Sequence, residues 1–506
     1  MRQLYKNAFF HQMDKGNNLG NAILVENGRI LDVFLSAPTN LTDAETIDLN
    51  GCHVYPGFID THTHSFEGGL YSQSLDLSVA ETLKQVLQMI NEYYETGRAK
   101  KAEQLDAFRF DENKIDAGRF PTRQELDFAC PDIPLVLRRI DGHSSVVNSA
   151  AWKAFRDANQ DFLAKDRSGY DKEDLTLRGE LNDKLVHWFH GNCSEQTIIT
   201  AYEQASKIAL SNGITTVHTM VGDSQDSIMH YKFLRDNLSK FDVEYILYPQ
   251  SFNIKAALDA GATRIGGCIL ADGSLGSYTA ALRKPYENNP SESGRLYHDD
   301  RFWYDFITEA ARNKLQVGVH CIGDRAIKQI NDVYLKLSDV SYDLRHQLIH
   351  CELTPDDLLE EIVSSGAIPV MQPAFDMYWG AKFGYYHQVL GEARKNQMNR
   401  FKTFTQKGVK ITGGSDWYIT ELDALQGIQS AINHHNASES LDIYDAISMY
   451  TINAAYLSHD ENRLGRIEAG YDADLVCLHS EIQSSALLNS YLIAYTIKKG
   501  KRVFSK

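Results

Sequence analysis

The sequence has little cysteine: its 506 residues contain seven, an odd number, and no two of them form a Cys-x-x-Cys pair. A disulfide framework needs paired cysteines, so the composition argues against a disulfide-stapled secreted fold. Cys321 and Cys351 each directly follow a histidine that ends an apolar run. Because side chains alternate along a strand, we predict that both point away from those histidines and are buried core residues.

Positive charge is also scarce, since 51 Lys and Arg stand against 67 Asp and Glu and give a net charge of −16. Without a basic arm or stripe, we expect no nucleic-acid partner. No apolar stretch is long enough to span a membrane, and the first residues lack the apolar core of a signal peptide. We therefore expect a cytoplasmic protein without a membrane partner. A homo-oligomer is possible on these observations.

Internal repeats and low-complexity runs are absent, and a chain of this length allows several domains or one barrel with additions. Residues 22–33 are typical of two strands around Asn27-Gly28, a strong hairpin signal. Residues 473–478 and 492–504 are also typical of strands. The β-rich ends predict one small β-sandwich built from both termini, residues 1–52 and 458–506.

A histidine pair ends the apolar run that begins at Pro56. On a strand, His62 and His64 point to the same face while Thr63 points away. Two imidazoles that converge at a strand end are typical of metal ligands. Two polar residues in a turn are the alternative explanation.

Three more candidate ligands, His320, His350 and Asp416, follow apolar runs of their own. Helical patterns come after the two histidines. A repeated order of strand, ligand, loop and helix is how a (β/α)₈ barrel presents a site at the carboxyl ends of its strands. Singly, each histidine could be a core residue and Asp416 a helix N-cap, but together with His62 and His64 they predict a metal centre.

Eight strands can be counted from the run ending at His62 to the run at 409–415. They predict an α/β fold, a TIM-like metal-dependent hydrolase barrel formed by residues 53–65 and 211–457. About 140 residues separate the first two barrel strands, too many for an ordinary loop, so residues 66–210 are predicted to be an insertion or lid subdomain. Because this insertion leaves from the His64 end of the strand, we expect it to cover the site.

With these residues in place, the chain resembles the amidohydrolase superfamily. Within it, the chain is similar to the amidohydrolase family 3 branch, also called YtcJ-like, which includes N-substituted formamide deformylases. The superfamily likeness rests on segments 56–64 and 464–476, and the branch likeness on 139–150, 271–277 and 320–326.

The resemblance implies that His62, His64, His320, His350 and Asp416 take the metal-centre roles, with one or two divalent ions, most simply Zn²⁺. It implies substrate contacts for His143 and Asp272, although His143 could equally be a structural turn residue. The chain departs from the branch at Cys268, where we expect Lys. A thiolate can itself bind or bridge ions, so we predict that Cys268 is a ligand, and a buried core cysteine is the alternative.

The resulting hypothesis is a hydrolase that cleaves a non-peptide C–N bond of a small molecule, with an N-acyl or N-formyl amide as the expected substrate. Asp416 acts as general base and then general acid. Deamination of a heterocycle is the enzymatic alternative, although residues 323–325 stand where we would expect a His-x-x-Glu segment with its additional acid. A non-catalytic amidohydrolase-like binding protein is the third possibility, and there we would expect lost ligands.

Overall fold

A computed structural model describes residues 2–38, 41–97, 103–112, 114–139, 144–163, 176–191, 193–222, 228–484 and 487–506. The chain forms two compact units, Met1–Ser65 with Ala205–Lys506, and Phe66–Gln204. Within the described ranges, no helix combines the length and the apolar character needed to cross a membrane. The predicted domain boundaries, and the lid role of the insertion, stay predictions.

Both termini of the chain meet in one seven-stranded sheet with the order β20-β19-β18-β4-β1-β2-β3. Asn27 and Gly28, with φ of 52° and 82°, form the turn between β2 and β3 and confirm the predicted hairpin. Only the β1–β4 pair is parallel in this sheet. The strands are β1 Arg2–His11, β2 Leu19–Glu26, β3 Arg29–Phe34, β4 Glu45–Pro56, β18 Leu475–Leu478, β19 Ile493–Lys498 and β20 Lys501–Ser505.

Eight parallel strands of the first unit lie in two ladders, β12-β11-β5 and β13-β14-β15-β16-β17. A parallel bridge between Thr63 and Trp417 brings β5 beside the end of β17. The described residues contain no ladder between β12 and β13, so a closed barrel stays a prediction. The strands are β5 Phe58–Thr63, β11 Ile214–Val221, β12 Glu244–Pro249, β13 Arg264–Leu270, β14 Gln316–Cys321, β15 Gln347–His350, β16 Ile368–Met371 and β17 Thr412–Gly413.

The last of these strands is shorter than the predicted span of 409–415. The Asp60 carboxylate accepts the Ser415 N–H at 3.1 Å, and the Asp416 N–H donates to the His62 carbonyl at 2.8 Å. A buried side chain therefore takes over one backbone bond of the ladder, which a periodicity argument does not foresee.

Helices follow most of the eight strands. The carboxyl ends of these parallel strands lie at one edge, and the candidate site is at that edge. Turns of 3₁₀ helix lie at residues 238–240, 342–344, 437–439 and 490–492. The α-helices of this unit are Met229–Asn237, Ile254–Asp259, Asp300–Arg312, Asp324–Ser341, Asp356–Ser365, Pro373–Trp379, Tyr385–Lys395, Phe401–Gln406, Ala424–Ile432, Ile443–Met449 and Ile452–Leu457.

The second unit has a sheet and a core of its own. Its five strands run in the order β10-β9-β8-β7-β6, with parallel pairs only among β6, β7 and β8. One of its helices spans Leu83–Glu95 and begins with a capping box formed by Thr82 and Gln85. The strands are β6 Leu75–Asp76, β7 Leu105–Phe110, β8 Leu135–Arg139, β9 Ser144–Val147 and β10 Leu177–Arg178; the other helices are Ser65–Tyr71, Arg123–Ala129, Ser149–Ala158, Gln160–Leu163, Gly179–Gly191 and Glu195–Ser211.

A partly buried ion-pair cluster at the start of β12 should make the fold acid-sensitive. Burial would raise the pKa of Glu244, but the hydrogen bonds and charges of Arg463 and Lys498 outweigh it and lower the pKa to about 2. A depressed carboxyl pKa stabilises the fold above its unfolded value of about 4.3, and this contribution is lost as the pH falls toward 2. Replacing Glu244 with Gln should therefore cost about 1–3 kcal/mol at pH 7 and clearly less at pH 3.

Denaturant unfolding of wild type and Glu244→Gln at both pH values measures this difference. Asp259→Asn is the control, since its exposed carboxylate pairs only with Lys255 on one helix and should contribute less than about 1 kcal/mol. If the free energy of unfolding differed between wild type and Glu244→Gln by the same amount at pH 7 and pH 3, the result would contradict the depressed pKa of Glu244.

Candidate metal centre

His62 and His64 converge at the end of β5. Their Nε2 atoms each lie 3.3 Å from Oδ1 of Asp416. His62 is fully buried, whereas the His64 side chain is 18% exposed. Thr63 does point away, since its hydroxyl contacts Ser65 Oγ at 2.7 Å and the His218 carbonyl at 3.0 Å. The alternation of side chains along the strand therefore brings both imidazoles to one side.

Asp416 lies just beyond β17 in a left-handed backbone conformation, with φ of 53°. This region is sparsely populated by residues other than glycine, and strained residues cluster at functional sites. No helix starts at Asp416: the next one, Ala424–Ile432, is capped by Asp423. The alternative that Asp416 is a helix N-cap is therefore wrong.

His320 and His350 lie on neighbouring strands, with ring centroids 4.5 Å apart. The Gly273 carbonyl, 3.2 Å from His320 Nε2, can only accept, so that nitrogen carries the proton and Nδ1 keeps a lone pair. His350 Nδ1 donates to Gln372 Oε1 at 2.7 Å, which leaves Nε2 with the lone pair. Such partners fix the tautomer and the orientation of a metal-binding histidine.

Cys268 lies between the two pairs of histidines. Its Sγ is within 4.8 Å of ligand nitrogens of His62 and His64, and equally of His320 and His350. The ladder between β13 and β14 shifts register between Gly266 and Ile269, and Gly266 and Gly267 have φ of 85° and 81°. A bulge of this kind re-aims a side chain, here that of Cys268.

The thiol of Cys268 and the carboxyl of Asp416 lie among the imidazoles of the centre, and these neighbours lower the pKa of both groups. Burial alone would raise the pKa of the Cys268 thiol, but the four neighbouring imidazoles, those of His320 and His350 first, keep it well below its usual range. Burial would likewise raise the pKa of Asp416, and contacts with His62 and His64 hold it well below the ordinary value. The centre thus presents two anionic donors among four imidazoles.

The donor set fits a divalent transition metal. Nε2 of His62, Nδ1 of His320 and Oδ1 of Asp416 are buried and have no hydrogen-bond partner among the described residues. Buried polar atoms are nearly always satisfied, so unpartnered atoms that face one point call for an ion. Imidazole, thiolate and carboxylate ligands suit zinc and its neighbours better than magnesium or calcium.

A cavity of about 580 Å³ opens onto the ligands. This volume is within the range of small-molecule sites. Its wall is mainly aromatic and aliphatic, and includes Leu275, Phe375, Trp379 and Tyr385.

Glu352 is a cavity residue that the sequence interpretation did not identify. The side chain is buried, its Oε2 accepts the Tyr386 hydroxyl at 2.8 Å, and burial raises the pKa of the carboxyl to about 7. Its position two residues after His350, at a strand end, is the signal that could have revealed it. A buried carboxyl in a cavity is a candidate for substrate contact.

The two predicted substrate residues have different outcomes. His143 lies outside the described residues. Asp272 is fully buried and does not line the cavity described above. Its carboxylate accepts backbone N–H groups of Ala281, Ile322 and Gly323 at 2.7–3.0 Å. In this geometry Asp272 holds the loops behind the cavity wall, because its lone pairs are used by backbone donors.

Cys321 and Cys351 are fully buried, and burial raises the pKa of both thiols. The prediction that they are core residues is confirmed.

Comparison with known proteins first shows which solved structures share this fold. An uncharacterized metal-dependent hydrolase from Pyrococcus furiosus superposes with a TM-score of 0.81 at 23% identity over 95% of this chain and 99% of its own. The amidohydrolase family model matches residues 45–504, so the chain belongs to the amidohydrolase family. This confirms the family resemblance seen in the sequence.

Two curated relatives are similar over nearly their whole length. The putative amidohydrolase YtcJ of Bacillus subtilis (strain 168) is 28% identical over 100% of both chains. An N-substituted formamide deformylase of Arthrobacter pascens is 22% identical over 96% of both.

Proposed function

We propose that the chain is a zinc-dependent hydrolase that cleaves a non-peptide C–N bond of a small molecule, an N-acyl or N-formyl amide. The observation that carries the proposal is the convergence of His62, His64, His320, His350, Cys268 and Asp416, of which all but His62 line one cavity. The likeness to a formamide deformylase supports the amide class.

The proposal includes a (β/α)₈ scaffold. The eight parallel strands lie in the order β12-β11-β5-β17-β16-β15-β14-β13 once the bridge at Thr63 is counted. This is the cyclic order of such a barrel opened between β12 and β13. The Gln250 side chain, just after β12, donates to the Cys268 carbonyl on β13 at 3.2 Å and supports closure at that point.

When bound, a divalent ion would supply a water of lowered pKa and polarise the carbonyl. Asp416 is placed to accept the proton of the attacking water while the water oxygen bonds to the carbonyl carbon. As the C–N bond breaks, Asp416 returns this proton to the leaving nitrogen, so that a carboxylic acid and an amine result. His62 and His64 would hold the ion beside the reactive oxygen of Asp416, since both Nε2 atoms lie 3.3 Å from it.

The cavity wall favours an amide with a bulky apolar substituent. Phe375 and Trp379 pack edge to face with ring centroids 4.6 Å apart on one side, and Leu275 and Tyr385 also line the cavity. Burying an aryl or branched alkyl group there contributes about 25 cal/mol per Å² of apolar surface. Glu352 adds one buried acceptor, which suits an N–H or ammonium group of the same substrate.

Amine release by the zinc-loaded enzyme from N-formyl, N-acetyl and cyclic amides, each with an aryl or a methyl substituent, tests the function. We expect hydrolysis of open-chain aryl amides and its loss when a chelator strips the ions. Activity that persists after the ions have been removed would refute the metal-dependent mechanism. Aminopurines and aminopyrimidines belong in the panel, since Glu352 supplies a buried acid, and ammonia release from them would favour the deaminase.

Replacing Cys268 with Ser should cost the centre at least one ion. Sγ is the atom shared by the two histidine pairs, and a hydroxyl is a poor substitute for an anionic soft ligand. Elemental analysis of wild type and variant after zinc loading measures the ratio of ions to chains. Cys321→Ser, which changes a fully buried core cysteine, is the matched control and should keep the wild-type ratio. Equal metal content and activity in Cys268→Ser would reduce Cys268 to a core residue.

Glu352→Gln should lower kcat/KM at least about tenfold for amides that carry an N–H or ammonium donor, because a hydrogen bond to a charged group contributes about 1.5–3 kcal/mol. Amides without such a donor should be hydrolysed at nearly the wild-type rate. Tyr386→Phe, which removes the hydrogen bond to Glu352 but keeps the carboxylate, is the control. An equal loss for both substrate groups would show that Glu352 does not select the donor.

A further inference from the structure

A second group of potential ligands lies apart from the residues of the catalytic centre. Asp376 belongs to helix Pro373–Trp379, and His434 and His435 follow helix Ala424–Ile432. Asp376 Oδ1 lies 3.3 Å from His434 Nε2 and contacts His435 Nδ1. One ligand atom from each of the three residues lies within 4.8 Å of the other two. The three donors therefore converge on one point between the two helices.

These side chains are almost completely buried, with exposures of 2% for Asp376, 0% for His434 and 4% for His435. Nε2 of His434 and Nε2 of His435 have no hydrogen-bond partner in the part of the chain that the structure describes. An unsatisfied buried polar group costs about 1–3 kcal/mol, so such atoms are rarely left without a partner. The cluster therefore lacks something that the protein atoms do not provide.

The position of the proton on the His434 ring decides whether Nε2 can bind a cation. Its Nδ1 lies 3.1 Å from the Asn436 carbonyl oxygen, which can only accept a proton. With the proton on Nδ1, the Nε2 lone pair faces a carboxylate oxygen of Asp376. Two acceptors at this distance repel each other unless a cation lies between them. The competing tautomer, in which the Asn436 N–H at 3.0 Å donates to Nδ1, needs no cation.

The surrounding backbone is also shaped for this cluster. A Cβ at Gly380 would lie 2.8 Å from His435 Nδ1 and 2.9 Å from Asp376 Oδ1. Only glycine allows the chain to pass this close to both ligands. The Phe401 ring closes the other side against His434, with ring centroids 5.2 Å apart. The Gly380 backbone and the Phe401 ring thus leave little space around the donors.

We infer that Asp376, His434 and His435 form a second metal site, which binds one divalent transition-metal ion such as Zn²⁺. Two imidazoles and a carboxylate are a ligand set of that class, and they exclude the oxygen-only coordination of magnesium or calcium. The ion joins helix Pro373–Trp379 to the segment after Ala424–Ile432. Because Phe375 and Trp379 line the catalytic cavity, the site stabilises the cavity wall and takes no part in bond cleavage.

Crystals of the wild-type chain, incubated with Zn²⁺ and measured at the zinc absorption edge, test the inference directly. We expect an anomalous difference peak among Asp376, His434 and His435, in addition to any peak at the catalytic ligands. No peak there after zinc incubation would overturn the inference and favour the hydrogen-bonded tautomer. The anomalous peaks at the catalytic ligands and at this site are measured separately. Failure of the proposed function and failure of this site are therefore distinguishable.

Metal counting on variants gives an independent test. His434→Gln should bind one Zn²⁺ fewer per chain than wild type, while the ions of the catalytic centre remain. His346→Gln is the matched control, because this histidine is also buried with an unpartnered Nε2 but belongs to none of the ligand clusters of the described residues. Equal zinc content in wild type and His434→Gln would contradict the site. If His434→Gln does not fold, Asp376→Asn and the wild-type crystals decide.

Discussion

Replacing His350 with alanine is expected to reduce kcat/KM at least about 10³-fold, since the bound ion contributes several kcal/mol to the transition state and each 1.36 kcal/mol changes the rate tenfold. The same change should lower the stability of the metal-free protein only modestly. His350 is at the functional end of β15, and its side chain makes one hydrogen bond, to Gln372. Residues at that end of a barrel strand serve chemistry more than packing. His62→Ala should behave in the same way.

Kinetics of the zinc-loaded variants and thermal unfolding of their metal-free forms give the two readouts. His346→Ala is the opposite control: the side chain accepts the Val317 N–H at 3.0 Å and stacks on Tyr334, but it belongs to none of the ligand clusters of the described residues. That variant should lose stability and keep its metal. A metal-free His350→Ala chain that does not fold would instead indicate a structural role for the ligand.

The positions of the histidines among the candidate ligands could be predicted from sequence because each is tied to a local pattern. His62 and His64 follow a strand of fixed alternation, and His320 and His350 end short apolar strands. Parallel strands deliver their carboxyl ends to one edge, so the pattern along the chain determines the meeting point in space. The prediction for Cys268 used the resemblance together with the room that Gly266 and Gly267 leave beside it, but the sequence did not reveal the bulge that turns its side chain.

Other features depend on contacts between residues far apart in the chain. Asp60 accepts the Ser415 N–H and shortens β17, a bond across 355 residues. Asp272 was expected at the substrate, but three backbone donors from other segments engage its carboxylate. Asp376 and His434 come together only when their two helices pack. A single sequence carries the residues but not these pairings.

Asp416→Asn is expected to lower kcat about 10²–10⁴-fold, the usual contribution of a positioned general acid or base. The amide keeps the shape of the side chain but cannot take a proton from water. The backbone should tolerate the change, because Asn adopts the left-handed conformation that Asp416 has, with φ of 53°. Lost activity would then reflect chemistry and not folding. Steady-state kinetics with elemental analysis of the same zinc-loaded samples separate the proton transfer from the loss of an ion.

Asp423→Asn is the matched control, because Asn caps a helix as well as Asp and the side chain that caps Ala424–Ile432 does not line the cavity. Its kcat should stay close to the wild-type value. A small loss of kcat in Asp416→Asn at full metal content would indicate that another group accepts the proton. Glu352 is then the candidate, since burial raises the pKa of this cavity carboxyl to about 7. The double variant Asp416→Asn with Glu352→Gln separates the two assignments, because a loss larger than the product of the two single losses would show that each group can replace the other.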